Sequence, residues 1–499
     1  MFKAHDIRTK VENLTEDIKK RLYKAIAAYL KESIKCKSVV LCRDARLAAP
    51  ELAQGLCSKL LDCGIDVLLN PLPISTCQFY YSCLKNKDSA GLMVTASHNP
   101  GNYIGIKIVG PGLSPIAYNI GPDGGIKKIQ ELYESNVNFS STTIGNCQII
   151  NDLDDYIDYS MRLAGVKEGS LSRMKFLMEF FSGSAGMEFA LAFQKAGATV
   201  VYRNMIPDGY FKQGDPNPII EKSISPTRKA MADSVFDMGF CFDGDGDRMD
   251  LMYSDGSQII PGLNMSILIP YLLALYQGQK PKFFADAKSL PLSLYQLSKA
   301  GAKVSIIKNG HSSIKAKLKE YPEYLGAVEE SSHYYLNLPF DINDFSKGFA
   351  QTECTLFFAL LSARSLKERP DAYKEIKQLQ NSVFRAREWS LHCDSAPEKM
   401  LDIVEAITSR MKEQGALVID TMEDGSPLDA TLFRFNLPKI ITERTDLNSK
   451  KWAQVSQRIS ASEDAVIRWE ISSSDEQECK KLEQEIKGIV DKLYKSSKC

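Results

Sequence analysis

Short apolar runs and helically spaced apolar positions follow one another three times along this chain. Residues 39–42, Val-Val-Leu-Cys, form an unbroken apolar run, residues 51–63 place apolar side chains at helical spacing, and residues 66–69, Asp-Val-Leu-Leu, read as a second strand. The order recurs at 175–180, 187–195 and 198–202, and again at 283–285, 290–299 and 303–307. Short apolar-rich runs of this length predict buried strands, and the intervening period predicts crossover helices. Strand, helix, strand in that order predicts a parallel sheet, because parallel neighbours need a long connection. Gly64, Gly197 and Gly301 each stand between helix and second strand, where a helix commonly ends on a left-handed residue.

The last hundred residues read differently. Short strands are predicted around 416–419 and 466–469, with a final helix over 476–495, as in a smaller α+β domain. The charged stretch 367–377 reads as one solvated helix. The 499 residues exceed what one core organises, so several domains are expected.

Composition narrows the function. Lys plus Arg and Asp plus Glu each total 62, and this zero balance argues against a broad electrostatic footprint for nucleic acid or an anionic membrane, while leaving room for a local basic cleft for a small phosphorylated ligand. The start, Met1 to Asp6, is too charged for a secretory signal, and the best apolar run, 263–276, is too short to span a bilayer. A soluble, cytoplasmic protein is expected. The twelve cysteines form no CxxC pair and read as buried thiols, not as a disulfide framework.

Two loops carry candidate chemistry. Thr95-Ala96-Ser97-His98-Asn99-Pro100 follows the apolar strand 91–94, which would give an exposed serine a rigid base. By itself it is also compatible with an ordinary turn. Asp243-Gly244-Asp245-Gly246-Asp247-Arg248 follows the apolar run 238–242. Carboxylates at alternate positions converge on a cation when glycines let the backbone fold round it, and magnesium suits an all-oxygen site beside phosphate. A calcium EF-hand is excluded, since Arg248 and Ser254 stand where that loop needs Gly and Glu.

TASHNP resembles the active-serine signature of the alpha-D-phosphohexomutases, the phosphoglucomutase and phosphomannomutase superfamily, and DGDGDR resembles its metal loop. Tyr103 to Lys107 resembles the family's YNGxK, with Ile104 for Asn. Residues 328–333, VEESSH, resemble the sugar loop GExSGH, with Val328 and Ser332 for glycines. Residues 2–8 resemble FRAYDIR with His5 for Tyr, and residues 43–46 resemble GRDxR. Ala287-Lys288-Ser289 and residues 310–315 are similar to third-domain segments. Residues 458–464, ten before Arg468, resemble the phosphate clamp RxSNTxP, with Ala461 and Asp464 departing from it. Were the clamp elsewhere, Arg434 is the next candidate.

The resemblance implies an α/β fold of three tandem mixed α/β domains with parallel-rich sheets plus a smaller C-terminal α+β domain, surrounding a central cleft. The implied division is 1–150 for the phosphoserine, 151–255 for the metal, 256–385 for the sugar and 386–499 for phosphate. The resemblance further implies reversible phosphoryl transfer between the 6 and 1 positions of a hexose phosphate, through phosphorylated Ser97 and a hexose 1,6-bisphosphate. Catalytic roles would fall to Ser97, Lys107, Arg8, His98, Arg248 and His311. Substrate contacts would come from Glu329, Ser331, His333, Lys288, Arg458, Ser460 and Ser462. Magnesium would be held by Ser97, Asp243, Asp245 and Asp247, with hexose 1,6-bisphosphate as activator. The implied partner is a hexose phosphate, not nucleic acid or a membrane. A phosphatase or bisphosphate synthase on the same site, and a non-catalytic sugar-phosphate sensor, are the alternatives.

Overall fold

The computed structural model describes residues 1–276, 282–393, 396–460 and 465–494. The chain forms two compact units. The first comprises Met1–Ile259, His311–Pro322 and Ser331–Glu368; the second comprises Ile260–Gly310, Glu323–Glu330 and Arg369–Cys499.

In the first unit, Ser38–Arg43 is the middle of a mixed sheet, pairing in parallel with both Asp66–Pro73 and Ala90–Val94. Tyr103–Gly110 runs antiparallel to Ala90–Val94, and Ile7–Lys10 lies antiparallel beyond it. The helix Ala49–Asp62 makes the predicted crossover. Its buried Leu52, Leu56 and Leu60 pack with Val39, Leu41 and Val67 of the sheet. Their four-residue spacing keeps them on one helix face. A second sheet of the same unit places Lys175–Glu179 parallel to both Thr199–Arg203 and Met238–Phe242, with Met249–Met252 antiparallel at the side of the latter. Both catalytic-loop candidates therefore follow central, fully buried strands: Ala90–Val94 leads to Ser97, and Met238–Phe242 leads to Asp243. A strand buried on both faces gives a loop at its end a fixed origin. Tyr334–Pro339 and Phe349–Glu353 form an antiparallel pair, also within this unit.

In the second unit, Lys282–Asp286 pairs in parallel with Lys303–Ile307 and Tyr324–Val328, again with the predicted crossover helix, Pro291–Lys299. The C-terminal part is a wholly antiparallel five-stranded sheet in the order Phe384–His392, Val466–Ser473, Ala453–Ile459, Pro427–Phe435, Leu417–Thr421. The helices Lys399–Glu413 and Glu476–Tyr494 bury Ile403, Ile407, Leu482 and Ile486 in a core with Val455, Ile467 and Trp469 of this sheet.

One expectation is corrected. Residues 367–377 are not a single helix: Thr355–Glu368 ends, Arg369 turns to φ −137°, and Pro370–Gln380 begins anew. Proline lacks the N–H a continuing helix needs and pushes the residue before it out of the helical region. Ten of the eleven described cysteines are buried and Cys147 is exposed. Among the described residues no helix is long and apolar enough to cross a membrane.

Candidate active site

Ser97 follows its strand by three residues and takes a left-handed conformation, φ 49°. Such a backbone is costly for a residue with a Cβ and persists only where neighbours hold it. Arg46 is the holder. Its buried guanidinium donates to Ser97 O at 2.7 Å, Asn99 O at 2.6 Å, Pro100 O at 2.6 Å and Tyr103 O at 3.0 Å. Its Nε donates to Asp44 Oδ2 at 3.1 Å. One side chain thus satisfies four loop carbonyls. Thr95 Oγ1 accepts from Ser97 N at 2.9 Å, completing the turn.

The serine is not exposed, which corrects the expectation from its loop. It is 4% accessible, because the acidic loop and His98 close over it. Ser97 Oγ donates to Asp243 Oδ2 at 2.9 Å and lies 3.2 Å from His98 Nδ1. The approach depends on glycine: a Cβ at Gly244 would stand 2.8 Å from Ser97 O.

Asp243, Asp245 and Asp247 are all buried and offer carboxylate oxygens within 4.8 Å of one another. Their hydrogen bonds are lopsided. Asp245 Oδ2 accepts from Thr76 Oγ1 at 2.6 Å, Lys107 Nζ at 2.8 Å and Thr95 Oγ1 at 3.2 Å. Asp247 Oδ2 accepts from Lys107 Nζ at 2.5 Å. Asp243 Oδ1 accepts the backbone N–H groups of Asp247 and Arg248 at 3.1 and 3.2 Å. Asp245 Oδ1 and Asp247 Oδ1 are buried with no hydrogen-bond partner among the described residues. Bare buried carboxylate oxygens are costly unless a cation takes them, so the donor set fits a hard divalent ion. Burial and the neighbouring Asp247 and Asp245 push the Asp243 carboxyl well above its usual range. Burial pulls Lys107 down, but Asp245 and Asp247 more than reverse this, so it stays protonated. Burial and the nearby Arg248 and Arg8 hold His98 well below the ordinary imidazole value, so it is neutral at pH 7.

Arg248 Nε donates to His333 Nε2 at 3.1 Å, and His333 Nδ1 lies 3.8 Å from both Asp247 Oδ1 and Glu353 Oε1. Lys315 Nζ bonds Glu353 Oε2 at 2.5 Å and Tyr80 OH at 2.9 Å. Arg8 pairs with Asp6 and donates to Asn99 Oδ1 at 2.5 Å. The His311 ring lies 5.3 Å from that of His5. Ser331 is half-buried, and Ser332 holds φ 71°, where the family's glycine would sit without strain.

The remaining expected contacts belong to the second unit. Glu329 Oε1 accepts from Gly310 N at 3.1 Å and Asn309 Nδ2 at 3.4 Å. Lys288 and Arg458 both approach Glu388. Ser460 is buried at the end of its strand, and Ser462 lies outside the described residues. Arg434, the alternative clamp residue, is buried: its Nε donates to Gln454 and its Nη1 to Pro438 O and Lys439 O, while Nη2 has no hydrogen-bond partner among the described residues. Sequence reasoning missed Thr76, Glu353 and Glu388. Each sits in an ordinary helix or strand pattern that carries no local signal.

Residues 1–136 match the family model for phosphoglucomutase/phosphomannomutase, alpha/beta/alpha domain I, and residues 154–256 match that for domain II. The chain is 30% identical over 455 residues to a phosphomannomutase of Escherichia coli K12, covering 89% of this chain and 92% of the relative. Its fold is similar to that of a phosphoglucomutase/phosphomannomutase family protein from Burkholderia thailandensis, with TM-score 0.77, 21% identity and coverage of 99% and 97% of the two chains. It is also similar to an N-acetylphosphoglucosamine mutase from Aspergillus fumigatus in complex with GlcNAc-6P and magnesium, with TM-score 0.52, 12% identity and coverage of 91% and 82%. The chain belongs to the phosphoglucomutase/phosphomannomutase family, and it is a phosphohexomutase.

Proposed function

We propose that Ser97 carries the phosphoryl group and that the chain interconverts the 6- and 1-phosphates of a hexose through a hexose 1,6-bisphosphate. The observation that carries this reading is the hydrogen bond from Ser97 Oγ to Asp243 Oδ2, inside a buried carboxylate triad with two bare oxygens. Asp243, Asp245 and Asp247 would hold magnesium, which when bound supplies positive charge beside the phosphoryl oxygens. The magnesium complex of the similar Aspergillus enzyme supports that choice of ion.

Phosphoryl transfer needs positioning and charge stabilisation more than covalent help from the protein. Arg46 and Thr95 fix the Ser97 backbone. Lys107 stays protonated and offsets the charge of Asp245 and Asp247. In the first half-reaction a substrate hydroxyl attacks phosphorus and loses its proton, the bond to Ser97 Oγ breaks, the serine oxygen takes up a proton, and a hexose 1,6-bisphosphate forms. In the second, Ser97 Oγ attacks the other phosphate, the bond from that phosphorus to the sugar oxygen breaks, that oxygen takes a proton as the sugar hydroxyl, and the phosphoserine is regenerated. Two atoms stand within reach of the Ser97 proton at that stage: Asp243 Oδ2, its present acceptor, and the neutral His98 at Nδ1. Arg248 and His333 lie beside the triad, placed to meet the substrate. Glu329 and Lys288 would meet the sugar and phosphate, and Arg458 with Ser460 would hold the non-reacting phosphate. The four-part division at 150, 255 and 385 assigns these tasks in chain order.

The name of the E. coli relative makes mannose phosphate the first substrate to test, beside the glucose and glucosamine phosphates. Purified protein should carry phosphate on Ser97 by peptide mass spectrometry. It should convert hexose 1-phosphate to 6-phosphate in a coupled assay with hexose 1,6-bisphosphate added. Ser97→Ala should abolish turnover, and full activity in that variant would sink the mechanism.

A further inference from the structure

Glu388 is an acid in the middle of the basic cluster proposed to hold phosphate. It lies in the strand Phe384–His392, whose pairing with Val466–Ser473 is interrupted between Ala386 and Trp389. An interruption of this kind kinks the strand and re-aims a side chain. The Glu388 carboxylate meets three cations. Arg458 Nη2 donates to Oε2 and Arg468 Nη1 donates to Oε1, each at 2.8 Å, while Lys288 Nζ stands 3.4 Å from Oε2. Burial pushes the carboxyl pKa up, and Lys288 and Arg458 more than reverse this, keeping it ionised.

Arg458 and Arg468 are direct register partners on adjacent antiparallel strands. Like charges directly opposite destabilise a strand pair unless an anion lies between them. Arg458 Nε is buried and has no acceptor among the described residues, so the carboxylate does not satisfy every donor of the guanidinium it pairs with. A phosphate group offers three terminal oxygens and two charges where a carboxylate offers two oxygens and one.

We propose that Glu388 is a built-in occupant of the phosphate site, gathering Lys288, Arg458 and Arg468 in the ligand-free protein and giving way to the substrate's phosphate when it binds. This rests on reading Arg458 and Lys288 as phosphate ligands. The exchange makes the site selective. A monoanion gains little by displacing a carboxylate that is already bonded to the same donors, whereas a dianionic phosphate brings a third oxygen and a second charge. It also limits how tightly any phosphate is held, which suits an enzyme whose bisphosphate intermediate must turn over. The Glu388 side chain is 22% exposed, so it has solvent to turn towards.

Titration of inorganic phosphate into the full-length protein, at fixed ionic strength, separates the possibilities. Glu388→Gln removes the competing charge and should tighten phosphate about tenfold, since each factor of ten is about 1.4 kcal/mol and one charged contact is worth that much. The KM for hexose 1-phosphate should fall in parallel. Glu388→Ala provides the same comparison if the glutamine variant fails to fold. Unchanged or weakened phosphate binding in the folded variant overturns the proposal, because Glu388 would then serve only to position the cations. Arg458→Ala tests the underlying reading separately: it should weaken phosphate about a hundredfold. If it does not, the clamp is elsewhere whatever Glu388 does.

Discussion

At the scale of single residues, Arg46 decides whether the catalytic loop exists in one conformation. Its guanidinium reaches four carbonyls and a carboxylate from one buried position, with Asp44 fully buried against it. A lysine retains the charge but has three rotatable donors at a single point and cannot span the same fan of acceptors. Arg46→Lys should therefore lower kcat far more than it raises KM, because the misplaced group is Ser97 and not a substrate contact. Arg46→Met goes further and strips Asp44 of its counter-charge in the core, leaving it the backbone N–H of residue 46. Removing one member of a buried ion pair typically costs about 3–5 kcal/mol. Urea unfolding should show that loss, and a Met variant as stable as the parent would mean that the loop holds itself.

Among the elements, the helix Thr76–Lys85 ties the acidic loop to Lys315. Its N-cap, Ser75, accepts from Gln78 N, Thr76 bonds Asp245, and Tyr80, one turn later, meets Lys315. Ser75 Oγ also donates to Glu188 Oε1 at 2.6 Å. Burial pushes the Glu188 pKa up to about 8, from an ordinary 4.5. The folded chain thus keeps a proton that the unfolded chain releases. Glu188 contributes its stability fully below about pH 4.5, and that contribution is lost as pH rises through about 8. Glu188→Gln should flatten the pH dependence of the urea midpoint between pH 5.5 and 7.5, removing a slope of up to about 1.4 kcal/mol per pH unit. Equal slopes in the two proteins would mean that Glu188 is ionised in the fold. Elements such as this helix were only partly legible in the sequence. Strand, helix and strand could be read three times because apolar-rich runs and helical spacing are local. TASHNP and DGDGDR could be read because their chemistry lies in contiguous residues. Their partners elsewhere could not: Thr76 bonds Asp245, Glu353 pairs with Lys315, and Glu388 gathers Lys288, Arg458 and Arg468, yet each looks like an ordinary helix or strand position until distant segments meet. Burial of Ser97 was missed for the same reason, since the loop that covers it comes from another part of the chain.

For the whole molecule, a net charge of zero conceals a division of labour between the two units. The first holds the carboxylate triad, and the second holds Lys288, Arg458 and Arg468. Each unit has its own apolar clusters, built round Leu41 and Leu56 in the first and round Val455 and Trp469 in the second. Separate cores allow separate melting, so calorimetry should resolve two transitions in place of one two-state event. A ligand that binds only the folded form stabilises it by mass action, by about 2.7 kcal/mol at a hundred times its dissociation constant. Magnesium should therefore raise the transition of the unit that contains Asp243, Asp245 and Asp247 by several degrees and leave the other in place. Chelation should lower that same transition, because three buried carboxylates without a cation repel one another. Asp245→Ala should abolish the magnesium response, since it removes one of the two bare oxygens and leaves Lys107 beside a depleted triad. A magnesium shift that survives the substitution would place the ion outside the triad. A shift in the transition of the other unit would mean that the cation is held by residues of the second unit.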